Sequence, residues 1–391
     1  MGKNSVACCP ACGKEAQYLV DWECSGLNDS IFNYTADFFG CPHCGLVYIE
    51  NTSDEELSLF YNNECSYFEK AHFDITAPEN IKKFEAYREV LANAGLSDTS
   101  ISDIGCGRGG FLIWLKNNNW NANCTGVDID LRSIPNVQEN ASEEGGSVAF
   151  QEGMAFYLPF ANGTQSILSY FHVLEHIRNI DKVLSEAFRV LEESGHILIE
   201  VPDAERYEEH PVGAAFWFSI REHVNHFSAQ AICHALQRNG FSVTSVNRKL
   251  LPTPEFTYPS LMILAKKGTG EAKSAVNKVG DIPSFVTQSK EALKAQAENI
   301  LEFHSQYSKL TFWGCSTELF SLLPRLNLPD FTLCDASKVK QQCTYRGIPI
   351  EDPATVPIDG ALIVAPYLHG DAIEKAALER GWPKEAIFRL R

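Results

Sequence analysis

The sequence predicts an α/β protein in three consecutive parts: a cysteine-rich N-terminal module, a mainly parallel, doubly wound central sheet, and a second, smaller α/β domain. Three observations predict it. Two matching C-P-x-C-G motifs punctuate the first 45 residues. From Ile101, apolar strand-like runs alternate with amphipathic helical stretches as far as Lys267, the pattern of strands and crossover helices in a parallel sheet. After an aperiodic stretch the alternation resumes over a shorter span.

Length and composition set the frame. A chain of 391 residues has room for two or three domains. Apolar residues make up 45% and charged residues 21%, which excludes disorder throughout, a collagen repeat and a disulfide-stapled miniature. No apolar run approaches the roughly 18 residues that span a bilayer. The opening MGKNSVACCPACGKE has no apolar export core, so the expected location is the cytoplasm, away from membranes. Fifty acidic against 33 basic residues give a net charge of -17, which repels phosphate backbones and argues against a nucleic-acid partner. Thirteen cysteines in a reducing compartment point to metal ligation or burial.

The elements follow in order. Residues 1–75 hold the cysteine motifs and the module beside them. Residues 76–268 open with the helical PENIKKFEAYREVLANAGL, closed by Gly95. Then come ISDIG, GFLIWLKNNNW, NCTGVDID, SVAFQEG and SILSYFHVL. The helix DKVLSEAFRVLEESG, the strand HILIEVP, the helix SAQAICHALQRNG and the strands FSVTSVNRKL and SLMILAKKG complete the unit. Residues 268–283 read as a linker. The domain at 284–391 starts with a long polar helix from Ser284 to about Tyr307. KLTFWG, TELFSLLPRL, FTLCDAS, GIPI, ALIVAPYL and DAIEKAALERGW follow.

Cys9-Pro10-Ala11-Cys12-Gly13 and Cys41-Pro42-His43-Cys44-Gly45 each aim two thiolates at one point. Two such knuckles complete a closed tetrahedral site, the arrangement of structural zinc, with no position left for a substrate. Cys9, Cys12, Cys41 and Cys44 are the expected ligands. Cys8 is an alternative to Cys9, and Cys24 and His43 lie close enough in sequence to intrude.

The strand ISDIG runs into Asp103-Ile104-Gly105-Cys106-Gly107-Arg108-Gly109-Gly110. Gly105-x-Gly107-x-x-Gly110 fits a dinucleotide fingerprint, so a dehydrogenase enters the comparison. Asp103, two positions before the first glycine, repels a pyrophosphate and tolerates a cationic aminoacyl group, which favours S-adenosylmethionine (SAM). Asp128, 25 residues on, is placed to accept ribose hydroxyls. It does not discriminate, because nicotinamide enzymes use such a carboxylate too.

In this loop and in GVDID, Leu158-Pro159-Phe160, FHVLEHI and RVLEESGHILIEVP, residues 78–267 resemble the class I SAM-dependent methyltransferases. The resemblance implies a Rossmann-like, mostly parallel sheet of seven strands. It implies that Asp103, Gly105 and Gly107 line the methionine part of SAM, and Cys106 in the same loop is a further cofactor-binding residue. It also places Asp128 on the ribose, with Ile129 a further cofactor-binding residue, and Phe171 and His172 beside the sulfonium. Met154 stands where the family commonly has an acidic residue that reads adenine, so packing and backbone contacts would hold the base.

Candidate bases cluster at Phe171-His172-Val173-Leu174-Glu175-His176 and at Arg221-Glu222-His223-Val224-Asn225-His226-Phe227. Histidine titrates near neutrality, which suits proton abstraction. His223 with Glu222 orienting its ring is the leading pair, and His176 is the second candidate. Glu175 reads as a helix-start residue, His226 as structural and Ser228 as a helix cap. Phe216, Trp217 and Phe218 read as lid or core packing.

The three-part layout also resembles the zinc-containing C-methyltransferases of nucleotide-linked keto-deoxysugars. That resemblance implies a small-molecule acceptor, possibly a nucleotide-linked sugar. It makes Glu222-His223 the base and His176 a second site residue, and it gives the C-terminal Rossmann-like domain a hold on the nucleotide. Ile220 stands where that family has a tyrosine, and its N-terminal substrate tyrosine corresponds to Tyr61 or Tyr67. Two other readings remain at this stage: an O- or N-methyltransferase of a sugar or secondary metabolite, and a zinc-bearing RNA methyltransferase.

Overall fold

The computed structural model describes residues 6–28, 30, 33–63, 74–132, 148–210, 215–268 and 277–390. Its strands form three sheets. In the first, β1 (Val6–Cys8), β2 (Glu15–Glu23), β3 (Thr35–Gly40) and β4 (Val47–Ile49) run antiparallel in chain order. The β1–β2 and β3–β4 turns are the two cysteine knuckles, so both open at one end of this sheet. The fifth strand comes from far along the chain: β10 (Asn225–His226) pairs with β4 through Asn225–Tyr48 and His226–Val47. The Glu222-His223 segment is thereby fastened to the cysteine module.

The central sheet contains β5 (Ile101–Ile104), β6 (Cys124–Asp128), β7 (Ala149–Glu152), β8 (Gln165–Phe171), β9 (Leu191–Pro202), β11 (Phe241–Pro252) and β12 (Thr257–Lys267). Their spatial order is β11-β12-β9-β8-β5-β6-β7. Only β12 is reversed, being antiparallel to both neighbours, so the expected seven strands, mostly parallel, are present. Alternate residues of each strand feed two cores. Leu198, Met262 and Leu264 join the side holding Phe84 and Phe111, from helices Pro78–Asn93 and Gly110–Asn117. Ile197, Ile199, Leu261 and Ile263 join Val183 and Ile232, from helices Ile180–Val190 and Ala229–Arg238.

One boundary differs from expectation. The helix expected through Gly195 stops at Val190, and Leu191 turns extended at φ -70 and ψ 139. Leu191 is wholly buried and pairs with Gln165 across the sheet. Burial and pairing outweigh the helical preference of the two glutamates that follow.

The third sheet orders β15 (Thr344–Tyr345), β16 (Ile348–Glu351), β14 (Thr332–Cys334), β13 (Leu310–Trp313), β17 (Ala361–Val364) and β18 (Ile387–Arg389). All but β15 run parallel. The polar helix spans Ile282–His304, with Pro283 in its first turn. Helix Thr317–Leu326 is fixed to the first sheet: Trp22 Nε1 donates to Ser321 Oγ at 3.3 Å and Ser25 Oγ donates to the Phe320 carbonyl. Ser321 in turn donates to Ser219 at 2.8 Å, beside Trp217 and Phe218. Those two aromatic residues are core, with Trp217 stacked 4.2 Å from Tyr207.

Candidate active site

Parallel strands deliver their loops to one edge of the central sheet, where ligands bind in such folds. After β5 the chain turns through Gly105, Gly107 and Gly109, all at positive φ (71, 54 and 70). A Cβ on Gly105 would stand 2.6 Å from Val173 Cγ2, so only glycine lets this loop lie against the segment after β8. Gly107 N donates to Asp128 Oδ2 at 2.7 Å, and Asp130 N donates to Oδ1 at 3.1 Å. Asp103 accepts from Ser169 Oγ at 2.7 Å.

Both carboxylates are buried and neither has a described cation partner. Burial raises Asp103 to about 7. Burial likewise raises Asp128 to about 6 against the pull of the Gly107 amide. Among the described residues, no cation neutralises this cup when it ionises. Ile129 and Met154, at the ends of adjacent paired strands, are 38% and 45% exposed, an apolar ledge beside Asp128.

The segment after β8 is constrained too. His172 adopts φ 55, an uncommon conformation for a side chain with a Cβ. Its Nδ1 lies 3.0 Å from Glu175 Oε1, and its Nε2 lies 2.8 Å from Tyr258 Oη and 3.3 Å from Glu200 Oε2. Burial alone lowers the His172 pKa, but Glu200 and Glu175 outweigh it and raise it to about 9. The His172 ring therefore sits between two buried acidic side chains. Phe171 stacks on Tyr87 at 3.9 Å.

The two histidine candidates meet. The rings of His176 and His223 lie 4.7 Å apart, edge to face. His176 Nδ1 is 3.1 Å from the Glu222 carbonyl, which only accepts, so Nδ1 carries a proton, and Nε2 lies 3.9 Å from Glu175 Oε1. One donor atom from each of Glu175, His176 and His223 lies within 4.8 Å of the other two. Glu175 Oε2 and His223 Nδ1 are buried without a hydrogen-bond partner. Burial, then His176, holds the His223 pKa well below the usual histidine range.

Residues 78–246 match the family described as Methyltransferase domain. The central unit is a class I SAM-dependent methyltransferase domain. Ajmaline N-methyltransferase of Rauvolfia serpentina is 27% identical over 168 residues, 38% of this chain and 57% of that one. Norajmaline N-methyltransferase of the same plant is 28% identical over 99 residues, 25% of this chain and 34% of that one. The chain thus spans about half the length, or less, of these relatives. Among solved structures, a SAM-dependent methyltransferase from Methanosarcina mazei aligns with a TM-score of 0.39 and 19% identity, over 46% of this chain and 98% of that one. Geranyl diphosphate C-methyltransferase from Streptomyces coelicolor A3(2) aligns with a TM-score of 0.39 and 15% identity, over 55% and 97%.

The methyltransferase domain brings Asp103, Gly105, Cys106, Gly107, Asp128 and Ile129 to one edge, with Met154 beside them. The cup fits SAM: among the described residues its carboxylates have no cation partner, and SAM carries an ammonium and a sulfonium. Three expectations change. Both His172 nitrogens are committed to protein groups, leaving only its ring face for a cofactor. Glu222 does not orient His223 through its carboxylate: its backbone carbonyl holds His176, and the His223 ring meets His176 instead. Glu175 is more than a helix start, since it lies buried between His172 and the histidine pair. Tyr67 lies outside the described residues, as does the side chain of Tyr61. His226 and Ser228 behave as read. His226 is buried in β10, and burial lowers its pKa to about 3. Ser228 caps its helix through Ala231 N at 3.0 Å.

Sequence reasoning passed over Glu200 and Tyr258. Glu200 accepts from Tyr258 at 3.1 Å and Ser260 at 2.7 Å. Its signal was a charge inside the apolar run Ile197-Leu198-Ile199-Glu200-Val201.

At the N-terminus the thiols converge. Cys9 and Cys44 Sγ lie 3.6 Å apart, and Cys12 and Cys41 Sγ 3.4 Å. A tetrahedral zinc with Zn–S of about 2.3 Å sets sulfurs about 3.8 Å apart, so the cluster is compatible with such an ion. The knuckles repeat one another: Gly13 N donates to Cys9 O and Gly45 N to Cys41 O, with φ 73 and 77 at the glycines.

Proposed function

We propose that this protein transfers the methyl group of SAM to a small molecule, by C-methylation of a nucleotide-linked keto-deoxysugar. The uncompensated Asp103–Asp128 cup, on the same sheet edge as the Glu222/His176/His223 group, carries the reading. Asp103 and the Gly105–Gly107 turn hold the methionine end of SAM, Asp128 the ribose, and the Ile129–Met154 ledge the adenine. Bound there, SAM supplies an electrophilic methyl group and leaves as neutral S-adenosylhomocysteine. His223, with His176 beside it on the Glu222 carbonyl, takes the proton from the carbon beside the acceptor's ketone and leaves that carbon nucleophilic. Positioning does the rest, since methyl transfer is an in-line displacement.

In this reading residues 1–75 form a zinc module, 76–268 the methyltransferase domain and 284–391 a domain that binds the nucleotide. Zinc held by Cys9, Cys12, Cys41 and Cys44 is structural. It steadies the sheet that carries β10, and so the Glu222-His223 segment. Reduced zinc thiolates suit a cytoplasmic enzyme, and the acidic surplus suits a small-molecule acceptor better than RNA. Among the described residues no helix is long and apolar enough to cross a membrane. The N-methyltransferase relatives favour a second reading, transfer to a nitrogen or oxygen of a small molecule.

Calorimetry of the protein saturated with S-adenosylhomocysteine against dTDP, UDP, GDP and CDP tests the acceptor class. Saturable binding of one nucleotide is expected, followed by NMR location of the methyl on carbon in the turnover product. Binding of none, or a methyl on nitrogen or oxygen, overturns the sugar C-methylation reading.

A further inference from the structure

The two cysteine knuckles share a neighbour from outside their own module. Helix Ala229–Arg238 of the methyltransferase domain reaches one knuckle with each end. At its start, Ser228 Oγ accepts from Ala231 N at 3.0 Å and spends its one proton on the Cys44 carbonyl. At its end, Arg238 Nη1 donates to the Pro10 carbonyl at 3.4 Å, while Nη2 is held by Asp181 at 2.6 Å. Both knuckle glycines turn their bare side to these residues. A Cβ on Gly45 would stand 3.3 Å from Ser228 Oγ, and one on Gly13 would stand 3.3 Å from Arg238 Cζ. Between the two ends the contact is apolar. Cys9, Ala11, Cys41 and Cys44 are buried in one core with Ala231, Ile232 and Ala235 of the helix. A self-contained zinc finger folds around its metal alone, whereas here three of the four expected ligands lie in a core shared with another domain.

We infer that Ser228 and Arg238 are positioning residues for zinc at Cys9, Cys12, Cys41 and Cys44, so that metal retention and the seating of helix Ala229–Arg238 form one linked equilibrium. Ser228 holds the carbonyl of a ligand residue, and Arg238 holds that of Pro10, between two ligands. Hydrogen-bonded partners behind the ligands orient them and strengthen metal binding. Linkage makes the effect reciprocal: what zinc gains from the seated helix, the seated helix gains from zinc.

The inference rests on the zinc reading of the module and extends it to the base segment. The helix follows directly on β10, and Ile49 N donates to the Val224 carbonyl at 2.9 Å. The run anchored to the cysteine module, Val224 to Ser228, therefore begins one residue after His223. Zinc acts on the placement of that base without touching the acceptor.

Competition for zinc between the full chain and a chromogenic chelator tests the inference, together with amide hydrogen exchange followed by mass spectrometry. Ser228→Ala and Arg238→Gln should each weaken zinc binding about tenfold or more, with S-adenosylhomocysteine binding unchanged. Stripping zinc from the wild type should speed exchange across residues 222–238 and leave the 103–110 loop as it was. Where Ser228→Ala fails to fold, because it also loses a helix cap, Arg238→Gln decides from its place at the exposed end of the helix. Zinc affinity within about twofold of the wild type in the folded variants, or exchange over 222–238 that ignores the metal, overturns the inference alone. A wild type that binds no zinc overturns the zinc reading and the inference with it.

Discussion

The central and C-terminal sheets place an aspartate at the end of a strand in the same local device. Asp128 ends β6, accepts Gly107 N from the loop after β5 at 2.7 Å, and accepts Asp130 N two residues on. Asp335 follows β14, accepts Cys315 N from the loop after β13 at 2.8 Å, and accepts Ser337 N two residues on. In each, a glycine at positive φ opens the preceding loop. The difference is charge. Lys340 Nζ lies 3.0 Å from Asp335 and 2.9 Å from the Cys315 carbonyl, whereas Asp128 and Asp103 have no described cation. One backbone solution thus yields two binding properties: a cup neutralised from within, and a cup that waits for a cationic ligand.

Substitutions at the central cup should have the largest effects. Gly105→Val forces a β-branched side chain into φ 71 with Val173 in its path. Its cost of at least ~1–2 kcal/mol in backbone strain, with the loop displaced, is expected to abolish measurable SAM binding by calorimetry. Asp128→Asn should weaken SAM about 10- to 100-fold, the worth of a charged hydrogen bond of about 1.5–3 kcal/mol. Asp335→Asn should change SAM affinity less than about twofold, because Lys340 is its counter-charge. Equal losses from the two asparagine variants would break the comparison.

The comparison also has a pH signature. A buried carboxyl whose folded pKa is raised favours the fold below its unfolded pKa of about 3.9 and loses that contribution as pH rises through the folded value. With Asp103 near 7 and Asp128 near 6, ligand-free stability from these groups should fall between about pH 4 and pH 7. SAM affinity should rise about tenfold from pH 6 to 7.5 as the cup ionises. Thermal unfolding with and without SAM should therefore show ligand stabilisation growing with pH, and a flat profile would remove the cup from cofactor recognition. A small effect on SAM affinity is also expected from Cys41→Ser. It should release zinc and lower the melting temperature, with SAM affinity changed less than about threefold.

How much of this was legible depended on how far apart in the chain the partners lie. The knuckles and the glycine loop are local: their spacing fixes both turn and chemistry, so Cys9, Cys12, Cys41 and Cys44 and the Asp103–Gly107 run emerged from spacing. The mainly parallel, doubly wound character of the central sheet followed from strand–helix alternation. The Glu222–His223 partnership misled because neighbours along a turning or extended backbone point in different directions. The true neighbour of His223, His176, is 47 positions earlier. The His172 clamp draws on β9 and β12 through Glu200 and Tyr258, and only register across the sheet brings them together. The pairing of β10 with β4 was hidden for the same reason: a two-residue strand has no periodicity to read.

Calorimetric titration of SAM into the wild type, Asp128→Asn and Asp335→Asn at pH 7.5 tests the central claim most directly. The account predicts saturable one-to-one binding by the wild type, a loss of about tenfold or more in Asp128→Asn and wild-type affinity in Asp335→Asn. No SAM binding by the wild type, or full affinity in Asp128→Asn, would contradict it.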